Sequence, residues 1–402
     1  MTRLGPLAER DFRILFLARS TSLLGSAVAP IALVFAVLDD LGGSPTDLGL
    51  VLAATWIPEI LLTLIGGVWA DRLPRNLLMV GTDLLLFAAQ GATAVLLLTG
   101  SARLWHLLAL GALRGVAEAF FFPAVQGVVP EVVRTERLQD ANAVLRLAEN
   151  SLRIVGSAAA GVFVAAVGSG WVLAFDAATF LGSAALLVRI RLPRRTRDVG
   201  GTLLTELREG WHELWSRTWL WTVVVSAAVG NMCIQAGIVV LGPVVAKESL
   251  GGAAAWGAIV AAQAGGYVLG GLSSLRFRPD RLLFAGCLGL LLAAPPFGLL
   301  ALAAPVWLIV VASIVSGFGL ELFAVYWITA LQQQIPSDRL SRVSAYDALG
   351  SFVAIPIGLT AAGPVADLIG VANTIWLAGG IALAALAPLL AVRDIRGLRR
   401  IA

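Results

Sequence analysis

The stretch ALRGVAEAFFFPA sets Arg114 and Glu118 four residues apart, on one face of a helix, within an otherwise apolar run. Such groups can pair with each other or exchange a proton. Glu59 follows Pro58 in the middle of another apolar run and has no partner nearby in sequence. A carboxyl taken out of water binds a proton rather than hold an uncompensated charge, so Glu59 and Glu118 are candidate proton carriers; the alternative for each is a structural hydrogen bond to a neighbouring helix. A third run carries Arg146, Glu149, Asn150 and Arg153 at i, i+3, i+4 and i+7, a polar stripe expected to face a pathway or a second bundle. In the second half Asn231, Gln235, Gln263, Glu321, Tyr326 and Asp347 interrupt apolar runs, as do the aromatic Trp56 and Trp327 in the middle of theirs.

Other chemistry finds little support. The two histidines, His106 and His212, are far apart, and no HExxH or nucleophile–base arrangement occurs. Cys233 and Cys287 lie in apolar runs without metal-ligand spacing and read as small buried hydrophobes. No GxxxxGK[ST] loop is present for ATP-driven work. An enzyme, a resident metal and a cofactor are therefore not expected.

The elements that must position these groups follow from composition. Hydrophobic residues make up 58% of the 402, charged residues 13%, and mean hydropathy is +0.88. Ordinary globular chains hold about 25% charged residues, so the excess apolar surface must face lipid. A spanning helix needs about 20 predominantly apolar residues. Twelve segments qualify, near 12–38, 48–70, 77–100, 104–129, 139–168, 171–191, 218–244, 252–275, 281–302, 306–330, 340–366 and 371–392. The charged start MTRLGPLAERDFRILFLARS lacks a cleavage site, so a retained N-terminus is expected. A charge at the centre of a span costs at least about 2.5–3.5 kcal/mol on insertion scales and persists mainly where it is paired or lines a cavity.

Of the 29 basic residues, 23 fall in the two tails and in every second connection. Basic residues in short loops are retained on the cytoplasmic side, which predicts a multi-pass protein of the cell membrane with both termini cytoplasmic. It also attributes the net charge of +4 to topology rather than to nucleic-acid binding, for which no basic surface with interleaved aromatics exists. The longest connection contains TLLTELREGWHELWSRTW, whose Leu203, Leu207, Trp211, Leu214 and Trp215 recur at helical spacing. This predicts an amphipathic helix in the membrane interface. The expected organisation is an N-terminal six-helix bundle at 1–192, a linker at 193–217 and a C-terminal six-helix bundle at 218–402.

The halves resemble each other at one offset of 202 residues, which aligns Gly115 with Gly317, Phe121 with Phe323, Gly156 with Gly358, Gly161 with Gly363 and Gly168 with Gly370. Six spans per half make this a parallel repeat, two bundles around a central site.

Between the second and third spans stands GGVWADRLPRN. Its Gly67-x-x-x-Asp71-Arg72-x-x-Arg75 resembles the signature loop of the major facilitator superfamily, with departures at Pro74 and Asn76. GGLSSLRFRPDR, its counterpart in the second half, keeps glycines and arginines but not the aspartate. PEVVRTERLQDANAVLRLAENSLRIVG and LREGWHELWSRTWL are similar to the drug-exporter-like branch that includes macrolide and siderophore efflux proteins. The resemblance implies an all-helical fold of two six-helix bundles and secondary transport by alternating access, acting as a monomer.

It also implies that Gly67, Asp71, Arg72 and Arg75 form a cytoplasmic latch. Asp71 would face the positive end of the helix opened by Ser337, a contact of about 0.3–2 kcal/mol, and Arg75 would pair with Glu131. An arginine of the fourth span is associated with proton transfer in such exporters, which extends here to Arg114. The glycine-rich fifth span is similar to an antiporter motif, though Ser157 stands where proline is usual.

The expected function is proton-coupled export of a hydrophobic or amphipathic small molecule. Glu321, Tyr326 and Trp327 are expected to line the substrate cavity, with Trp56, Asn231, Gln235 and Gln263 as further contacts; Glu321 and Asp347, like Arg146, Glu149 and Arg153 of the fifth span, are also coupling or pathway candidates. A lipid or lysophospholipid flippase on the same fold is the alternative. A non-transporting scaffold or sensor fits poorly with charges kept inside the spans.

Overall fold

The computed structural model describes residues 5–134, 138–190, 211–212, 214–277, 279–335 and 337–399; within helices, the side chains at 64–72, 146, 150 and 337–342 are among those left out. The described chain holds twelve helices long and apolar enough to cross a membrane. They are α1 (Arg10–Phe35), α2 (Pro45–Arg72), α3 (Arg75–Leu98), α4 (Leu104–Val132), α5 (Leu138–Val167) and α6 (Ser169–Leu187) in the first half. The second half holds α7 (Thr218–Leu250), α8 (Ala253–Arg276), α9 (Leu282–Ala301), α10 (Val306–Gln334), α11 (Tyr346–Ile369) and α12 (Val371–Ala391). In lipid the backbone must satisfy its own polar groups, which is why an apolar chain of this kind resolves into helices.

Two compact units, Met1–Asp198 and Val199–Ala402, contain six spans each. Within the first, α2 packs on α4, α3 on α4 and α6, and α1 on α5 and α6. Within the second, α8 and α9 pack on α10, and α7 packs on α11 and α12. Large apolar side chains such as Leu61, Trp171, Trp307 and Leu368 stand exposed. That surface would be a liability in water and suits a lipid boundary. Of the linker, only the end is described: Leu214 is buried, Trp211 and Trp215 are half exposed, and the Trp215 ring stacks on Trp221 at 5.6 Å. Most of the expected amphipathic helix lies outside the described residues.

The duplicated glycines hold matching places. A Cβ on Gly115 would collide with the backbone of Thr55, so α4 touches α2 backbone to backbone; one on Gly317 would collide with the backbone of Gln263, so α10 touches α8 the same way. Gly156 admits Ala27 of α1 against α5, and Gly358 admits the Met232 backbone of α7 against α11. Gly168 and Gly370 make the turns into α6 and α12 with φ of 84° and 87°, a conformation open mainly to glycine. Small residues at a crossing let helices approach where no hydrophobic force drives them together in lipid. The repeat thus preserves the contacts that set helix separation.

Candidate functional site

The α2–α4 and α1–α6 contacts bring ionisable groups of the first unit together. Arg114 Nε lies 2.8 Å from Glu118 Oε1 on the same helix, and Arg114 Nη1 lies 4.0 Å from Asp176 Oδ2 on α6. Gln90 Nε2 of α3 donates to Asp176 Oδ2 at 2.7 Å. Gly25 makes the α6 approach possible: a Cβ there would lie 2.5 Å from Asp176 Oδ1 and 2.8 Å from its Cα. Glu59 is one turn beyond Thr55, the residue under Gly115, and acts electrostatically on Glu118 and Arg114. One guanidinium therefore stands among three carboxyls. Its one positive charge cannot offset all three if all are ionised. Asp176 is fully buried, so removing its partners would leave a charge without compensation.

Sequence reasoning found Arg114, Glu118 and Glu59 but missed Asp176, Gln90, Asp83 and Arg19. A signal was present. Asp83 and Gln90 are seven apart on α3, Asp176 and Ser183 seven apart on α6, and the antiparallel helices set Gln90 against Asp176 and Asp83 against Ser183. Each polar residue is isolated within its own run, so only the pairing of two helices reveals the seam. In the stripe on α5, Arg153 Nη2 lies 3.2 Å from Glu149 Oε1, with Arg153 more than half exposed; the Arg146 side chain lies outside the described residues.

At the expected cytoplasmic turn, α2 ends at Arg72 and α3 begins at Arg75, with Pro74 at the position before its first turn. Arg75 Nη1 lies 2.8 Å from Glu131 Oε1 at the end of α4, both side chains largely buried, and Asn76 Nδ2 donates to the Ile190 carbonyl at 3.0 Å. The side chains of Gly67, Asp71 and Arg72, and those of residues 337–342 at the start of the helix opened by Ser337, lie outside the described residues, and with them the expected Asp71 contact.

The second unit encloses a cavity of about 320 Å³. It is walled by apolar residues of α7, α9, α10, α11 and α12, Phe297 and Phe323 among them. Its polar side chains are Asn231, Trp327, Asp347 and Ser351. Trp327 Nε1 donates to Asp347 Oδ2 at 2.9 Å, Ser351 Oγ donates to Asp347 Oδ1 at 3.3 Å, and Asn231 Nδ2 donates to the Ser351 carbonyl at 3.0 Å. The volume is at the lower end of the roughly 300–1,000 Å³ of small-molecule sites, and the lining has their make-up of apolar walls with a few convergent polar groups.

Of the residues expected at a substrate cavity, Asn231 and Trp327 line this one. Glu321, Tyr326, Gln235 and Gln263 do not line it, and Trp56 belongs to the other unit. The cause is helical rotation: Leu320, Phe323, Ala324, Trp327 and Ile328 face the cavity, so Glu321, about 100° round from Leu320, instead packs on Gly270 of α8. Tyr326 is turned away likewise, buried, with its hydroxyl donating to the Phe277 carbonyl at 2.9 Å. The anionic side chain of the cavity is Asp347.

Comparison with known proteins agrees with this architecture. The model of the family described as transmembrane secretion effector matches residues 1–398. An uncharacterized MFS-type transporter of Bacillus subtilis, YfiS, is 25% identical over 92% of this chain and 90% of its own length. Macrolide efflux protein A of Streptococcus pyogenes is 23% identical over 94% and 95%. Among solved structures, the nucleoside transporter NupG superposes with a TM-score of 0.77 at 11% identity, covering 95% of this chain and 99% of its own. A bacterial homologue of the iron transporter ferroportin, inward-facing, gives 0.75 at 18% identity over 97% and 99%. Both likenesses speak to the fold alone. Twelve spans in two six-helix units, duplicated glycine contacts and a family match along nearly the whole chain lead to one conclusion: this chain is a multi-pass membrane protein of the transmembrane secretion effector family of major facilitator transporters.

Proposed function

We propose that this transporter exports a hydrophobic or amphipathic small molecule in exchange for protons, by alternating access of its two units. The observation that carries the reading is the Arg114 group: a single cation among Glu118, Asp176 and Glu59, inside apolar spans. Such groups are expensive in a membrane and mark ion and proton pathways by default. The cavity beside Asp347 supports an amphipathic cargo, since it offers apolar walls with hydrogen-bonding groups at one place. Relatives named for macrolide efflux make macrolides the first class to try.

In this reading both termini are cytoplasmic, the bundles run over 1–192 and 218–402 with a cytoplasmic linker between, and the protein works as a monomer. The loop around Asp71, Arg72 and Arg75 latches the cytoplasmic side, with Arg75–Glu131 holding α3 to α4.

Proteoliposomes with an imposed pH gradient test the proposal, loaded in turn with macrolides, lipophilic cations, siderophores and lysophospholipids. The expected result is gradient-dependent movement of one drug-like class, lost in Glu118→Gln or Glu59→Gln while substrate exchange without a gradient persists. Movement indifferent to the gradient and to both substitutions refutes proton exchange. Lysophospholipid alone as cargo refutes drug export in favour of lipid transfer.

A further inference from the structure

Asp83 lies within α3, fully buried, one turn from Met79 and one from Leu86, each part of a separate apolar cluster. By hydrogen-bond geometry neither of its carboxylate oxygens is paired, and the hydroxyl of Ser183, which faces it from α6 closely enough to interact with it, is likewise buried without a geometrically formed bond. The same two helices treat Asp176 differently. Two turns along the seam, Gln90 donates to Asp176, and Arg114 stands 4.0 Å away. The antiparallel register sets two carboxyls roughly 10 Å apart along the helix axis, one with a donor on a single oxygen and the other with neither oxygen hydrogen-bonded.

We infer that Asp83 is a second proton-binding site of the first unit, separate from the Arg114 group, with Ser183 as the hydrogen-bond partner of the bound proton. An ionised carboxylate here has no exposure, and only the Ser183 hydroxyl and the unpaired charge of Arg19 stand against its desolvation. A protonated carboxyl removes that cost and donates its O–H to Ser183 Oγ, which satisfies both orphaned groups at once.

The charged group that faces Asp83 from another helix is Arg19 of α1, which forms no ion pair with it among the described residues. Arg114 and Glu118 of α4 and Asp176 of α6 belong to the other group. Arg19 has competing claims on it: Glu149 of α5 attracts it, and its guanidinium lies 5.4 Å from the centroid of the Phe121 ring of α4. With Asp83 neutral, Glu149 and Phe121 hold Arg19. When Asp83 gives its proton to water, the new carboxylate draws Arg19 toward α3 and weakens its hold on α5. Proton exchange at Asp83 thereby moves a cation between the α3–α6 seam and the polar stripe of α5. The inference rests on the export reading only for the use made of the proton; the site itself is independent of any cargo.

The test is infrared difference spectroscopy between two pH values on the full-length protein in lipid nanodiscs, without substrate. The wild-type spectrum should contain a carbonyl stretch of a protonated carboxyl that disappears in Asp83→Asn, shifts in Ser183→Ala, and remains in Glu118→Gln. A spectrum of Asp83→Asn that superposes on the wild type overturns the inference. So does the absence of a titrating band sensitive to Ser183→Ala, and that variant decides the matter if Asp83→Asn does not fold. Vesicles separate the two claims: a band assigned to Asp83 with transport indifferent to the gradient leaves the site standing and sinks proton-coupled export, and the converse sinks only the site.

Discussion

Gly115→Ala tests whether the α2–α4 crossing sets the geometry of the Arg114 group. The added Cβ would lie 2.9 Å from the carbonyl carbon of Thr55 and 3.2 Å from its Cα, with the carbonyl oxygen nearer still. Carbon contacts are optimal at about 3.5–4.0 Å, so the helices must part by about 1 Å or more. The obstacle is backbone, which cannot rotate aside. Overpacking of this kind costs about 1–3 kcal/mol, against which alanine returns only about 0.5–1 kcal/mol of helix propensity. Gly317→Ala meets the Gln263 backbone in the same way and should cost as much. Gly81→Ala is the control, since nothing lies within 4 Å of its Cβ, and it should gain about 0.5–1 kcal/mol. Because Glu59 sits one turn from Thr55 and Glu118 three residues from Gly115, parting the helices also separates the carboxyls, so gradient-driven transport should fall together with stability. Thermal unfolding of the purified variants, followed by size-exclusion profile, measures the first effect and proteoliposome flux the second. Gly115→Ala as stable as wild type, or Gly81→Ala as damaging as Gly115→Ala, would refute the crossing geometry.

Arg75→Gln leaves Glu131 largely buried without its cation and should cost about 3 kcal/mol, the lower end for breaking a buried pair; the double exchange of Arg75→Glu with Glu131→Arg should recover part of that in the same unfolding assay. Gln90→Leu removes the donor to Asp176, for a loss of about 1–3 kcal/mol, whereas Asp176→Asn should fold but lose gradient-driven flux, and unchanged flux would remove Asp176 from the proton-exchanging group. Trp327→Phe deletes the hydrogen bond to Asp347, a net contribution of about 0.5–1.5 kcal/mol, so binding of a transported amphipathic compound, measured by equilibrium dialysis, should weaken roughly twofold to tenfold with the fold intact. Cys233 and Cys287 are buried free thiols and should resist maleimide labelling until the protein is unfolded.

How much was legible in the sequence differs between the fold and the site. The spans follow from length and hydropathy, because lipid permits only self-satisfied backbone and so leaves an apolar run of about 20 residues little choice but a helix. The duplication was legible in glycines at one offset, since helix contact in lipid depends on small residues at fixed places. The Arg114–Glu118 pair was legible because i and i+4 share a face whatever surrounds them. Arg75–Glu131 spans 56 positions, yet it followed from a known loop pattern with Glu131 as the nearest carboxylate at the end of α4.

The remainder needed the rotation of each helix about its axis, which a lipid-embedded sequence does not display. Soluble helices show a polar face outward; here apolar residues face both lipid and neighbour, and the sparse pairs Asp83/Gln90 and Asp176/Ser183 mark a face without showing which helix it meets. Glu321 and Asp347 looked equivalent as isolated acids in apolar runs, and a turn of about 100° sent Glu321 to α8 while Asp347 entered the cavity. The number of helices and the places where small residues let them touch thus follow from the sequence alone. Only the packing decided which carboxyl meets the guanidinium, which meets a cavity, and which is left with an unpartnered serine, because those outcomes depend on crossing contacts between helices far apart along the chain.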